Sequence, residues 1–244
     1  MSIEIIPFER LLLAFIPAIF VIYLMFHWHL PYKKACYAIL RMLIQLMLIG
    51  YALIMIFNSS SSWVTLGVLT LMMVASSWIS LNTLSTNDPN KVSKSHLFPL
   101  SLGAILLGGG STLLLVTQFV LELDPWYLPR YSIPLAGMIF ATSMTSISLA
   151  GERLQSELTQ GKEYDQARKI AFSTAMIPII NSMFAVGLVS LPGMMTGQIL
   201  SGVSPFIAAR YQIMVMCMLF SASGISSALF LVLVRKHFDK MVND

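Results

Sequence analysis

Gly187-Leu-Val-Ser-Leu-Pro-Gly-Met-Met-Thr-Gly-Gln-Ile-Leu-Ser-Gly202 sets four glycines and one proline between two long apolar runs, near 170–190 and 209–234. Lipid cannot hydrogen-bond the N–H and C=O groups that a broken helix releases. A segment of this kind at membrane depth is therefore packed in protein or lines a wet cavity. The stretch reads as a hinge or outer gate at the end of a helix, with a re-entrant hairpin as the alternative. Pro192, Gly193, Met194, Met195 and Gly197 are its candidate gate or path residues.

Working outward, the whole chain has the same solvent preference. Of its 244 residues 57% are hydrophobic and 11% charged, with a mean hydropathy of +0.78, far from the roughly 25% charged residues of a soluble domain. An all-α polytopic membrane protein follows, a single transmembrane domain over 1–244 with no room for a nucleotide-binding domain. Cys36 and Cys217 form neither a disulfide framework nor a thiolate cluster and read as packing residues. The net charge of +4 reflects topology rather than a nucleic-acid partner. The first ten residues lack the basic start of a signal peptide, so the first apolar run reads as a retained helix.

Apolar windows place seven helices near 9–28, 36–57, 63–81, 97–121, 132–150, 170–190 and 209–234. With the N-terminus outside, the cytoplasmic segments hold Lys33, Lys34, Arg41, Lys91, Lys94, Arg153, Lys162, Arg168, Lys169, Arg235, Lys236 and Lys240, against Arg10, Arg130 and Arg210 outside. This imbalance favours N-out and C-in by the positive-inside rule. Trp28, Trp63, Trp126 and Tyr127 fall near span ends, and 82–94 reads as a solvated turn. Gly137, Ala141 and Thr145 recur every four residues, Gly108-Gly109-Gly110 interrupts the fourth helix, and Ser221-Ala222-Ser223-Gly224 lies in the last. Such small-residue stripes let helix backbones approach closely.

Two spans carry polar residues of interest. Arg41 and Gln45 stand one turn apart on the second; Arg41 is close enough to the end to snorkel, and Gln45 is a path candidate that a neighbouring helix could equally satisfy. On the sixth, Thr174, Pro178, Asn181 and Ala185 make a small or polar stripe leading into the glycine-rich stretch. Pro178 removes a donor and favours a kinked or broken helix there. Met194 and Met195 could offer thioethers to a soft metal, or simply fill irregular space as most of the 17 methionines do. The four histidines make no ligand set.

The longest charged segment, 151–169, has Leu154 and Leu158 on one face and Gly161 as a stop, the pattern of a short amphipathic helix. Gly161-Lys162 is not a phosphate-binding loop, because Ser156 and Glu163 replace the required glycine and hydroxyl residue. If ATP drives this protein, another chain binds it. No hydrolase motif or paired intramembrane carboxylate is present, which argues against an enzyme.

The run from Gly187 to Gly202, continued by Val203-Ser204-Pro205 and Ala208-Ala209-Arg210-Tyr211-Gln212, resembles the signature of the FetB family of ABC-transporter permeases. Arg41-x-x-x-Gln45-Leu46 with Gly50-Tyr51, and Ile133-Pro134-Leu135-Ala136-Gly137-Met138, are similar to further family motifs. The resemblance implies a permease of the bacterial inner membrane, paired two-and-two with a cytoplasmic ATP-binding subunit that holds ATP and Mg, and assigned to iron export; plant relatives are associated with aluminium tolerance. It also implies that 151–169 is the coupling loop, with Glu157, Gly161, Gln166 and Ala167 as coupling residues. Tyr164 stands where the family expects proline. The competing classes are a stand-alone secondary transporter or channel, for which no buried coupling carboxylate is visible, and a membrane scaffold.

Overall fold

The structure, a computed structural model, describes residues 6–58, 61–84 and 94–238, with Phe8 by its backbone alone. Most of the turn expected at 82–94 lies outside these residues, as do Lys91 and Lys240 of the charge count. The chain divides into two compact units, Met1–Ser60 and Ser61–Asp244. Among the described residues every regular element is helical, and six helices are long and apolar enough to cross a membrane.

In the first unit α1 (Phe8–Leu13) and α2 (Phe15–His27) are separated at Ala14, where Pro17 supplies no N–H for the Leu13 carbonyl. His29 at φ 55° and Pro31 turn the chain into α3 (Tyr32–Phe57), and Phe26 meets Tyr32 edge-on at 5.2 Å. Neither α2 nor α3 buries a residue within the chain.

The second unit comprises α4 (Ser62–Ser80), α5 (Lys94–Val120), α6 (Pro129–Thr159), α7 (Tyr164–Ala185), α8 (Gly193–Leu200) and α9 (Pro205–Leu233). Five long helices pack with alternating direction, and α4, α6 and α9 all run toward the end that holds the 160–163 turn. Three cross-links show this: Ser148 donates to the Ser80 carbonyl at 2.8 Å, Ser80 and Ser101 share a hydrogen bond at 2.8 Å, and Tyr164 donates to the Leu231 carbonyl. At the opposite end Thr65 donates to the Tyr127 carbonyl at 3.2 Å. Residues 186–204 lie at that opposite end, because α7 finishes there and α9 starts there. The strand of chain therefore does not return Pro205 to the 160–163 end, as a re-entrant hairpin would.

The core is made of small residues and serines as much as of large apolar ones. Ala104, Ala136, Ala150, Ala171 and Ala222 are fully enclosed beside Ile139, Ile147 and Phe230. Ser226 donates to Ser143 at 3.1 Å, and Ser143 donates to the Ala222 carbonyl at 3.3 Å, stitching α6 to α9. Polar groups buried this way need such partners, since lipid offers none.

The sequence boundaries hold to within a few residues except in two places. Gly108–Gly110 does not interrupt its helix: α5 continues through a wide π turn over Leu106–Gly110. A Cβ on Gly108 would stand 2.7 Å from the Ser226 nitrogen and 2.9 Å from its Cα, so the glycine exists to let α5 touch the backbone of α9. The second correction concerns 151–169. Residues 151–159 are the last turns of α6, not a separate helix in a loop, and α7 begins at Tyr164.

Gly108 and Gly110 give opposite expectations. Gly108→Ala forces two backbones apart and should lower stability by about 1–3 kcal/mol. Gly110→Ala meets only the flexible end of Leu106, 3.6 Å away, and should be neutral or gain up to about 1 kcal/mol from helix propensity. Thermal unfolding of the two variants in the same detergent compares them directly.

Candidate functional site

Two places in the second unit combine polar chemistry with an unusual backbone, one at each end. The first begins where α7 stops. Pro178 sits inside α7 without ending it; the helix is continuous to Ala185, so the expected break lies two turns further on. There Gly187 takes φ 83°, and the Ala185 carbonyl accepts N–H groups from Leu188, Val189 and Ser190 while Gly187 N–H bonds the Ser190 carbonyl. The broken backbone thus satisfies much of its own hydrogen bonding. Pro192, extended at φ −61° and ψ 150°, then opens the two-turn α8.

This turn closes one side of a cavity of about 440 Å³. From α6 come Met138, Thr142, Thr145 and Ser146; from α7 Pro178, Ile179, Ser182 and Ala185; from α9 Gln212, Val215, Met216 and Leu219. Val186, Ser190, Pro192, Gly193 and Met194 complete the wall. Gln212 is 5% exposed and its Oε1 has no hydrogen-bond partner. A buried amide in that state is costly unless something else occupies the space beside it.

Of the residues singled out from sequence, Pro192, Gly193 and Met194 meet at this cavity. Met195 and Gly197 belong to α8 but not to the lining. Asn181 is exposed on α7 and lies outside the lining, whereas its neighbour Ser182, also exposed, borders the cavity on its open side. The stripe Thr174–Pro178–Asn181–Ala185 is thus split, with only Pro178 and Ala185 facing in. Gln45 is exposed on α3 in the first unit. The residues not foreseen as cavity-forming are Thr142, Ser182 and Gln212. Gln212 carries a signal, a lone amide early in a 29-residue apolar helix, yet it had only been noted as part of a motif.

The second place is the α6–α7 hairpin. A 31-residue helix extends about 46 Å, against a hydrocarbon thickness of about 30 Å, so the last turns of α6 project beyond the core. Glu157 lies there with a side chain only 1% exposed. Arg153 approaches one carboxylate oxygen at 2.5 Å and Lys162 pairs with the other. The Lys162 hydrogen bond, aided by the two positive charges and opposed by desolvation, holds this carboxyl below its usual range. Gly161, at φ 82°, makes the turn that brings Lys162 back. Beyond it Arg235 lies over the Tyr164 ring at 5.3 Å and reaches Asp165 at 3.6 Å. Of the four expected coupling residues, Gly161 and Gln166 are exposed while Glu157 and Ala167 are buried. The buried pair shapes the hairpin from within.

With both places described, the relationships of the chain can be stated. A family model described as "Uncharacterised protein family (UPF0014)" matches residues 8–238. The chain belongs to the UPF0014 family. Similar UPF0014 relatives include the UPF0014 membrane protein slr1647 of Synechocystis, 34% identical over 82% of this chain and 81% of that one. Another is the probable iron export permease protein FetB of Escherichia coli, 32% identical over 84% of this chain and 82% of its own. The protein ALUMINUM SENSITIVE 3 of Arabidopsis thaliana is 32% identical over 78% of this chain and 72% of its own. No solved structure matches the chain. The UPF0014 relationship and the apolar helices together establish an integral membrane protein related to named permeases.

The Glu157 cluster has a definite pH signature. Because the folded carboxyl titrates below the 4.5 of an unperturbed glutamate, its contribution is complete above about that pH and drains away as pH falls through the lowered folded value. Glu157→Gln should therefore reduce the thermal midpoint at pH 7, and the gap to the parent protein should close on acidification below 4.5. A gap that stays constant with pH would refute the ion-pair account.

Proposed function

We propose that this UPF0014 chain is the membrane-spanning permease subunit of an ABC transporter, exporting a metal ion of the iron type with ATP hydrolysed by a separate cytoplasmic subunit. Two permeases and two ATP-binding subunits would form the complex, in the plasma membrane of a bacterium, with ATP and Mg held by the partner. The chain would act as one transmembrane domain with seven spans, N-out and C-in. On this reading α7 is the sixth span. It falls short of the other six in apolarity because Asp165, Arg168 and Lys169 crowd its start, and Asn181 and Ser182 its end. Its 22 residues suffice to cross, given that roughly 17–25 are needed.

The observation that carries the proposal is the cavity among α6, α7 and α9, closed at one end by the broken backbone at 186–192. A half-open space with hydroxyl and amide groups in a mainly apolar wall, at a discontinuous helix and with irregular backbone where it lines the space, is an arrangement that suits a passage. The FetB relative supports the transport class and the iron-type cargo. In the mechanism, closure of the ATP-binding subunits would press on the 160–163 hairpin, where Gln160, Gly161, Glu163 and Gln166 are exposed. The Glu157 cluster would keep the hairpin stiff, and the Gly187–Gly197 segment would open or shut the outer end as the gate. Pro192, Gly193 and Met194 would stand in that gate, while roles for Gln45, Asn181, Met195 and Gly197 in the path rest on the sequence pattern alone.

Reconstitution with the ATP-binding subunit tests the proposal. The chain alone should hydrolyse no ATP, and the complex in liposomes should show ATPase activity stimulated several-fold by the exported metal. A cysteine placed at Gln166 should cross-link to the ATP-binding subunit, whereas one at Ser190, at the opposite end, should not. A chain that transports without any ATPase would sink the reading in favour of a stand-alone transporter.

A further inference from the structure

Two contacts fix the register of the antiparallel pair α7 and α9. Asp165 meets Arg235 at 3.6 Å, and the Met176 methyl lies 3.6 Å from the place a Cβ on Gly224 would take. The step from Asp165 to Met176 along α7 equals the step from Arg235 back to Gly224, so both contacts belong to one alignment. In it Phe172 is level with Ala228 and Ile180 with Phe220. These residues line a groove of about 620 Å³ that shares no residue with the cavity beside α8. The Ser173 and Ser221 hydroxyls are the only side-chain polar groups in its wall. Gly224 and Ala228 keep its floor low, and Phe172, Ile180 and Phe220 are exposed along its rim.

Toward the hairpin the same line turns basic. Lys169 precedes Phe172 by three residues and Ser173 by four, which puts it on their face of α7. It is exposed, and among the described residues it pairs with no acid. One turn further on, Asp165 takes both Arg168 at 3.2 Å and Arg235 at 3.6 Å. Three cations therefore surround one carboxylate, and the mouth of an apolar groove carries an excess of positive charge. An occupant that suits both parts has an apolar chain and an anionic head. A second copy docked face to face about an axis along the membrane normal would set these cations against their own counterparts, a costly juxtaposition. A zwitterionic lipid would bring an ammonium group to the same place. We propose that the α7–α9 groove holds an acyl chain of an anionic phospholipid whose phosphate rests on Lys169 and Arg235. The long basic side chains suit this task, since their stems lie along apolar surface while their heads reach the interface. The site stands independently of the permease reading.

The probe is dioleoylphosphatidylglycerol, added to the purified full chain in a neutral detergent, with retained lipid measured by native mass spectrometry. It should be held about fivefold more tightly than dioleoylphosphatidylcholine, and Lys169→Gln should remove about that preference, the worth of one basic residue beside an anionic lipid. Lys33→Gln, in the basic pair that opens α3, should leave retention unchanged. Gly224→Leu fills the floor of the groove and should abolish retention. Ser173→Leu, at an exposed position, should do the same and keeps the test sound if the glycine variant fails to fold. Inorganic phosphate should not displace the lipid, because it lacks the chain. The inference is overturned if the two lipids are retained equally, if Lys33→Gln weakens retention as much as Lys169→Gln, if neither leucine variant reduces it, or if inorganic phosphate competes. A cysteine at Ser173 that cross-links to the same cysteine of a second copy would assign the groove to a protein contact and overturn it as well. The measurement needs no ATP and no second subunit, so a failed permease reading would leave its outcome unaffected.

Discussion

A hydroxyl placed where there is no water has one proton to dispose of, and in the second unit of this protein that proton goes repeatedly to the carbonyl four residues earlier. Ser77, Thr112, Thr117, Thr142, Thr145, Thr174, Ser182 and Ser227 all do this. The habit makes a serine as small and almost as self-contained as an alanine, so helices can carry polar residues into their contacts without leaving a donor stranded. At the crossing of α5, α6 and α9 the proton goes across instead, from Ser226 to Ser143 and from Ser143 to the Ala222 carbonyl, beside Gly108, where a side chain would hold the backbones apart. The same habit recurs at Thr142, Thr145 and Ser182 in the cavity lining, beside the Ser146 and Ser190 hydroxyls and the Gln212 amide.

Much of this was legible in the sequence. The helix positions came from apolar runs, and the charge asymmetry along those runs agrees with a second unit whose Arg153, Lys162, Arg168, Lys169, Arg235 and Lys236 gather at one end. The glycine-rich stretch correctly marked where α7 gives way, because Gly187 and Gly202 do adopt backbone angles that side chains resist. Gly161 was likewise readable as a stop. The family was legible too, since its motifs lie along most of the chain.

What escaped the reading depended on facing. Helical spacing put Asn181 on the same stripe as Pro178, yet the packing of α7 against α6 and α9 brings Ser182 and not Asn181 to the cavity's edge; one residue is 100° of rotation, and a sequence alone does not fix the phase to that accuracy. Glu157 posed a different difficulty. In a charged segment a glutamate reads as solvated, whereas here the turn at Gly161 returns Lys162 beside it and the Gly151–Leu154 face carries it under cover. Gln212 became visible only as the wall of a cavity built from three helices distant in sequence.

α9 joins the two ends of the second unit without interruption. Gln212 faces the cavity, and Leu231, nineteen residues on, takes the Tyr164 hydroxyl of the hairpin, with Arg235 bound to the same tyrosine and to Asp165. At 1.5 Å per residue these points are about 28 Å apart along a single axis. A rod of that length acts as a lever arm: pivoting by about 3° displaces one end by about 1.5 Å relative to the other, half the length of a hydrogen bond and ample to make or break one. If the proposed partner presses on the hairpin, this geometry would set how far the cavity end moves, and shortening or hinging the rod would attenuate that movement before any residue of the cavity itself was altered.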